Sequence, residues 1–136
     1  LTTIRLGLES GDFDHRFDAK LSAPQWQEGV DNLFAAGFRA QDIGAYILFG
    51  LPDQNEADVL AAARLAAASG IRPQLAHFSP LPGTPLFERA VEVSDRPIAE
   101  DPLCQNNSIW PCVPGGFSWR TKRRWQEMLA QTMAAY

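Results

Sequence analysis

The chain reads Ile43-Gly44-Ala45-Tyr46-Ile47-Leu48-Phe49 near its middle, and Gly50-Leu51-Pro52-Asp53 follows directly. An apolar run of this length, bounded by turn-forming residues, is typical of a strand in a parallel sheet and is short for a helix. Strands of parallel sheets are covered on both faces, which explains a run without charged residues. We therefore interpret residues 43–49 as a doubly buried parallel strand.

Two further strand-like segments lie on either side of this run. Residues 4–8 alternate at period 2, and residues 74–78 form the third segment. The three segments repeat at about 35 residues, which is the length of a βαβ unit. Three strands leave two sheet edges open, so we expect this segment to be one side of a larger barrel or sheet.

Helix signals fill the two intervals between the strands. In the first interval, Ser22 and Gln25 have the spacing of a capping box, and Gly37 ends the helix. In the second interval, Asn55 opens a helix that stops at Gly70. The order strand, helix, strand, helix, strand predicts an α/β fold with right-handed crossovers and a parallel sheet.

The regular pattern stops beyond residue 92. We interpret residues 93–116 as a long loop draped over the domain, and we expect Thr121 to cap a final helix with Trp125, Met128 and Leu129 on its buried face. The predicted organisation is therefore an α/β segment over residues 1–92 and a loop with a terminal helix over residues 93–136.

Composition excludes several classes of protein. The 136 residues are 46% hydrophobic and carry 12 Lys and Arg against 16 Asp and Glu, a formal net charge of −4. Such a chain builds an ordinary core, and it has no net basic field that would attract nucleic acid. No apolar run approaches the ~18 residues of a membrane span. Leu1 opens a strand-like run without signal-peptide features, so we expect an excerpt from a longer cytoplasmic protein.

Each predicted strand ends in a polar or Gly/Pro-rich segment. The three segments are Glu9-Ser10-Gly11, Gly50-Leu51-Pro52-Asp53-Gln54 and Ser79-Pro80-Leu81-Pro82-Gly83-Thr84. Turn formation alone explains the glycines and prolines of any one segment. Ligands of parallel α/β folds gather at the carboxyl ends of the strands, so three such segments at one edge favour a ligand site.

Longer strings at the same strand ends resemble a known family. The strings are Gly7-Leu8-Glu9-Ser10-Gly11, Leu48-Phe49-Gly50-Leu51-Pro52-Asp53-Gln54 and His77-Phe78-Ser79-Pro80-Leu81-Pro82-Gly83-Thr84-Pro85-Leu86. In this order and spacing they resemble the last three strands of the radical S-adenosylmethionine (radical SAM) enzymes. The branches that often accompany a cobalamin-binding or similar accessory module are the most similar. The resemblance covers residues 4–88 and implies a βαβαβ portion of a partial TIM-like (β/α)6 barrel.

The resemblance also implies which residues contact the cofactor. They are Glu9, Ser10, Leu48, Gly50, Asp53, Phe78 and Ser79. In the family, residues at the first of these strand ends approach the ribose or methionyl part of SAM, and those at the other two pack on or border the adenine. Tyr46 stands where the family pattern has a glycine, and Asp53 is a shorter acid than the pattern has.

The cysteines that hold the family's [4Fe-4S] cluster are missing from this chain. That cluster requires a C-x3-C-x2-C loop, whereas Cys104 and Cys112 are separated by seven residues and follow the barrel segment. The resemblance therefore implies that the cluster ligands precede Leu1 in a parent enzyme and that this fragment alone is inactive. It further implies that the partners are the remainder of the same barrel, accessory domains that include a cobalamin module in some branches, and a substrate that these residues do not identify.

The remaining candidate residues have simpler interpretations. We expect His15 to be exposed and His77 to be structural, facing either the barrel or a helix. Cys104 and Cys112 are interpreted as free thiols rather than ligands of an auxiliary cluster. The aromatic residues Trp110, Trp119 and Trp125 are expected to anchor packing.

Two other functions stay open at this level. One is a noncatalytic α/β module whose loops bind a small ligand or another domain and whose sheet edges are docking surfaces. The other is an unrelated (β/α) barrel enzyme, which is disfavoured because no paired carboxylates or Ser/His/Asp arrangement stands out.

Overall fold

The computed structural model describes residues 3–14 and 20–136. Strands β1 (Ile4–Glu9), β2 (Ile43–Phe49) and β3 (Arg72–His77) form one parallel sheet in the order β1-β2-β3. The four α-helices in the described residues are α1 (Ala23–Ala35), α2 (Glu56–Ala68), α3 (Pro85–Val93) and α4 (Trp119–Ala134). Short 3-10 helices cover Ala40–Asp42, Pro102–Gln105 and Asn107–Ile109. The predicted α/β fold, with its parallel sheet and C-terminal helix, is confirmed.

The two crossover helices begin and end where the sequence predicts. Ser22 Oγ accepts a hydrogen bond from the Gln25 amide, and the Ser22 amide donates to Gln25 Oε1 at 2.9 Å, so the capping box is present. Gly37, at φ +90°, follows the last turn of α1. The Asn55 side chain caps α2 through the Asp58 amide at 2.9 Å. These ends are local features, which is why the sequence alone predicts them.

Three element boundaries differ from the sequence predictions. The cap of α4 is Ser118, whose Oγ accepts from the Thr121 amide, so Thr121 lies in the first turn and is not the cap. The third strand begins at Arg72 rather than at residue 74, because β3 pairs with β2 from that position. Helix α3 was not predicted, although Thr84 caps it through the Phe87 amide and Pro85 opens it.

One face of the sheet packs against the helices and forms the core. We call it the covered face; it carries Leu8 of β1 and Ile43, Ala45, Ile47 and Phe49 of β2. Helix α2 presents a row of small buried residues to this layer: Ala62, Ala63, Ala66 and Ala67. Trp26 of α1 is buried beside α2, and its Nε1 donates to Ser69 Oγ at 3.1 Å. This layer forms part of one hydrophobic core of buried residues.

The opposite face, which we call the open face, is built from the alternate residues of the strands. It carries Gly7, Gly44, Tyr46, Leu48, Gln74 and Ala76. The Tyr46 side chain is 42% exposed, and the Arg5 side chain lies across Gly44. The prediction that β2 is buried on both faces is therefore wrong for the described residues, since the two crossover helices cover one face.

The segment after α3 wraps the carboxyl end of the sheet and leads into α4. It contains two of the 3-10 helices and a left-handed residue, Trp110, at φ +52°. Trp110 and Trp125 are buried against Phe49, with ring centroids 4.9 and 5.4 Å from it. Trp119 is 72% exposed, so its predicted role as a packing anchor is wrong. No helix of the described residues is long and apolar enough to cross a membrane.

Candidate functional site

The end of β1 carries an irregularity that turns Glu9 toward the open face. The β1–β2 register shifts between Gly7 and Glu9, and Glu9 has φ +63°. A Cβ placed on Gly7 would lie 3.8 Å from Glu9 Oε1, so the carboxylate stands beside this glycine. A left-handed conformation is unfavourable for a residue with a side chain and persists where surrounding structure maintains it. The bulge thereby holds a carboxylate at the carboxyl end of the open face.

Ser10 follows Glu9 in a tight turn. Its amide donates to the Leu8 carbonyl at 2.7 Å, and its Oγ accepts from the Asp12 amide at 3.1 Å. Gly11 then passes close to α2, because a Cβ at this position would meet the Ala62 backbone at 3.2 Å.

The loop after β2 is held together by one side chain, that of Gln54. Its Oε1 accepts from the Gly50 amide at 2.8 Å, and its Nε2 donates to the Leu48 carbonyl at 2.8 Å. Gly50 has φ +86°, and a Cβ there would contact Val113 at 3.4 Å. Gln54 thus replaces the ladder contacts that β2 loses at its end. No local sequence pattern predicts this role of Gln54.

Asp53 joins this loop to α3. Its carboxylate accepts two hydrogen bonds from Arg89, at 2.6 and 2.8 Å, and Arg89 also donates to Glu92 at 2.7 Å. The Arg89 guanidinium lowers the pKa of the Asp53 carboxyl below its ordinary value. Asp53 has φ +60°. The structure therefore shows a positioning contact for the acid that the resemblance assigns to the cofactor.

The loop after β3 is anchored by Ser79. The Phe78 amide continues the ladder by donating to the Phe49 carbonyl at 2.9 Å, and Ser79 Oγ donates to the Gln105 carbonyl at 2.6 Å. This second bond fastens the carboxyl end of β3 to the segment that follows α3. Neither Gln105 nor Arg89 carries a local sequence signal for these contacts, since each lies more than 25 positions from its partner.

The seven residues that the resemblance assigns to the cofactor all lie at the carboxyl ends of β1, β2 and β3 or in the next few residues. We call this carboxyl end of the sheet the rim. Leu48 is half-buried on the open face directly below the rim, and Tyr46 lies one step lower on the same face. The rim thus brings several kinds of group to one end of the sheet. They are the carboxylate of Glu9, the hydroxyls of Ser10 and Ser79, the apolar side chain of Leu48 and the backbone of Gly50.

His77 faces the covered side, which answers the question that the sequence leaves open. Its ring stacks on Trp110 with centroids 5.4 Å apart, and Phe49 meets it edge-on at 5.7 Å. Burial, with a smaller contribution from Lys122, lowers the pKa of His77. Its Nδ1 is buried without a hydrogen-bond partner. His77 therefore packs among aromatic rings on the covered side, while His15 lies outside the described residues.

Cys104 and Cys112 are half-buried and form no disulfide. Burial and the nearby Asp53 raise the pKa of Cys112 to about 11, so this thiol is protonated near neutral pH. Within residues 3–14 and 20–136, no group of three or more His, Cys, Asp or Glu side chains could hold a metal ion.

Comparisons of the chain with protein-family models, with curated proteins and with solved structures return no match. The chain is a small α/β domain with a three-stranded parallel sheet.

Proposed function

We propose that this chain is the carboxyl-side half of a radical SAM domain and that its rim forms part of the SAM cleft. One observation supports this proposal above the others. The sheet is fully parallel, yet its open face carries exposed Tyr46 beside Gly7 and Gly44. Parallel sheets are covered on both faces or closed into barrels. An uncovered face of a parallel sheet suits the interior of a barrel that other strands complete.

The rim residues fit the chemistry of SAM. The carboxylate of Glu9 suits the hydroxyls or the ammonium group of the cofactor, and Leu48 offers an apolar surface to a flat base. The backbone at Gly50 has no side chain that would hold a ligand away. When bound at a reduced [4Fe-4S] cluster, SAM supplies a 5′-deoxyadenosyl radical. The described residues lack a ligand set for such a cluster, so this chain's own role is to bind and orient the cofactor.

The test uses the full-length protein, purified without oxygen and reduced with dithionite in the presence of SAM. We expect it to bind SAM and release 5′-deoxyadenosine. The variant Gly50→Val should bind SAM at least about tenfold more weakly, a loss of about 1.4 kcal/mol. Its control is Gly37→Val. Both glycines have positive φ, but Gly37 precedes the amino end of β2 and is therefore at the opposite end of the sheet from the rim.

The control separates a local effect from strain. If both variants fold and lose SAM binding equally, the rim is not the cofactor site. If the folded wild-type protein neither binds SAM nor forms 5′-deoxyadenosine, the radical SAM proposal is wrong. A noncatalytic α/β binding module would then be the better account.

A further inference from the structure

A groove of about 290 Å³ lies between β3 and α4, and none of the seven residues that the resemblance assigns to the cofactor lines it. Five of the six residues of β3 line one side of it. Helix α4 contributes the apolar side chains of Trp125, Leu129 and Met133 to the other side. Leu75 and Leu129 are only partly buried, although they pack against the core. The groove therefore extends the covered face beyond the last strand of the sheet.

The main chain of β3 borders this groove with unpaired groups. Within residues 3–14 and 20–136, β3 bonds to β2 alone, and no strand of this part of the chain pairs with its other edge, which we call the free edge. The Phe78 amide points to β2, and in a parallel ladder alternate residues point to the same neighbour. Leu75 and His77 consequently direct their amides and carbonyls to the free edge. Pro73 shares this alternation, and a proline without an amide is tolerated at an edge.

The charges of the groove have one sign. Among the described residues, the charged side chains that line it are Arg72, at the start of β3, and Lys122, which lies near His77 at the other end of the strand. Lys122 Nζ also stands 5.1 Å from the Trp119 ring. An occupant that carries carboxylates at its two ends is complementary to this pair. A second copy of the chain would bring the same cations against each other in a twofold contact.

We propose that the free edge of β3 binds an extended segment of a partner protein, with apolar residues facing α4 and an acidic residue at each end. The segment adds a fourth strand to the sheet. Its main chain bonds to Leu75 and His77, and its apolar side chains contact Leu129 and Met133. The carboxylates pair with Arg72 and Lys122 across a span of about 17 Å, the length of a strand of five to six residues. This inference is independent of the SAM proposal.

The probe is a synthetic peptide in which alternating valine and threonine residues stand between two terminal glutamates. A matched control peptide has lysines at both ends instead. Binding of each labelled peptide to the full-length protein is followed by fluorescence anisotropy, and hydrogen exchange maps the site. We expect the glutamate peptide to bind at least about tenfold more tightly, a difference of about 1.4 kcal/mol. We also expect it to protect the amides of Leu75 and His77, which face the free edge.

Charge reversal in the groove supplies the decisive variants. Arg72→Glu combined with Lys122→Glu should reverse the preference between the two peptides. The control Arg123→Glu makes the same charge change at an exposed position of α4 outside the groove lining and should leave the preference unchanged. If the double variant fails to fold, Arg72→Gln with Lys122→Gln should remove the preference instead.

Other occupants give other results. Equal binding of the two peptides, or no protection of β3, would overturn the proposal. A dimer in light scattering whose dissociation exposes β3 would identify a second copy as the occupant. Benzoate, a small aromatic acid, is tested as a third probe. If it protects the β3 amides from hydrogen exchange and neither peptide binds, the groove is a small-molecule pocket and the proposal is overturned.

Discussion

The two faces of the sheet differ in how deeply their side chains are buried. Ile47 on the covered face is completely buried, whereas its neighbour Tyr46 on the open face is 42% exposed. The same strand thus contributes to the core through alternate residues only. The large buried side chains of the sheet therefore lie on one face, while the described residues leave the other face open to further chain or to a ligand.

The handedness of the crossovers explains this difference. A βαβ connection is right-handed in nearly all proteins. Two right-handed connections in a sheet ordered β1-β2-β3 place α1 and α2 on the same side of that sheet. Helix α4 joins them there through its contact with α2 and β3. Covering the open face requires elements other than these three helices.

Truncation on the two faces should give the largest contrast. Ile47→Ala removes fully buried methyl groups and leaves a cavity, so we expect the free energy of unfolding to fall by about 2 to 5 kcal/mol. Tyr46→Ala should change it by less than about 1 kcal/mol. Urea denaturation of both variants measures the difference. Equal losses would mean that the open face is covered in solution by part of the same chain or by a partner.

Truncation at the rim should lower the free energy of unfolding by less than truncation on the covered face. Gln54→Ala leaves the Gly50 amide and the Leu48 carbonyl without their partner in a half-buried loop, and we expect a loss of about 1 to 3 kcal/mol. Gln27→Ala, which removes an exposed amide bonded to Asp31, is the control and should cost less than about 0.5 kcal/mol. Similar midpoints for the two variants would show that Gln54 does not hold the rim.

Two glycines test how rigid each side of the sheet is. At Gly11 an added Cβ meets the backbone of α2 at 3.2 Å, and Gly11→Ala should destabilise the protein by about 1 to 2 kcal/mol. At Gly44 the Cβ would meet the exposed Arg5 side chain, which can move, so Gly44→Ala should cost less than about 1 kcal/mol. Combining Gly44→Ala with Arg5→Ala should remove that cost. A larger effect at Gly44 than at Gly11 would contradict this ranking.

The smallest effect should be the pH dependence that His77 contributes from the covered side. Its pKa is lowered on folding, so the unfolded chain binds a proton that the folded protein does not. The contribution of His77 to stability is fully present above the unfolded pKa of about 6.5. It is lost as the pH falls from there toward the lower pKa of the folded protein. Allowing for the partial exposure of the ring, the loss should stay below about 1 kcal/mol.

The variant His77→Phe keeps an aromatic ring between Phe49 and Trp110 but cannot titrate. Urea midpoints of the two proteins between about pH 7.5 and 5.5 should diverge, with the wild-type value falling more steeply. His15 is present in both proteins and does not affect the difference. Parallel pH profiles would show that His77 has an ordinary pKa.

Local signals in the sequence predicted much of the fold. Caps and terminal glycines decide where α1 and α2 begin and end, and these are contacts between residues a few positions apart. Helix α3 had an equally local signal in Thr84 and Pro85, and the Ser118 cap stands three residues before Thr121. Both were missed because neighbouring turn residues and polar residues fit loop structure as well.

The candidate site was predictable in position but not in its contacts. Strand ends predict a rim because parallel strands place their carboxyl ends together. The bond from Arg89 to Asp53 and the bond from Ser79 to Gln105 join distant parts of the chain, and no spacing rule predicts them. The left-handed conformation of Glu9 likewise follows from the shifted register of β1, which only pairing with β2 reveals.

The sequence by itself determined the α/β class, the parallel order of strands and helices, and the edge at which polar residues gather, because these depend on periodicity and on short-range capping. The tertiary structure decided which face of β2 is buried, where His77 points and which partners hold Asp53 and Ser79. The reason is physical: alternation places residues on two faces but does not say what covers each face, and that depends on helices packed from elsewhere in the chain.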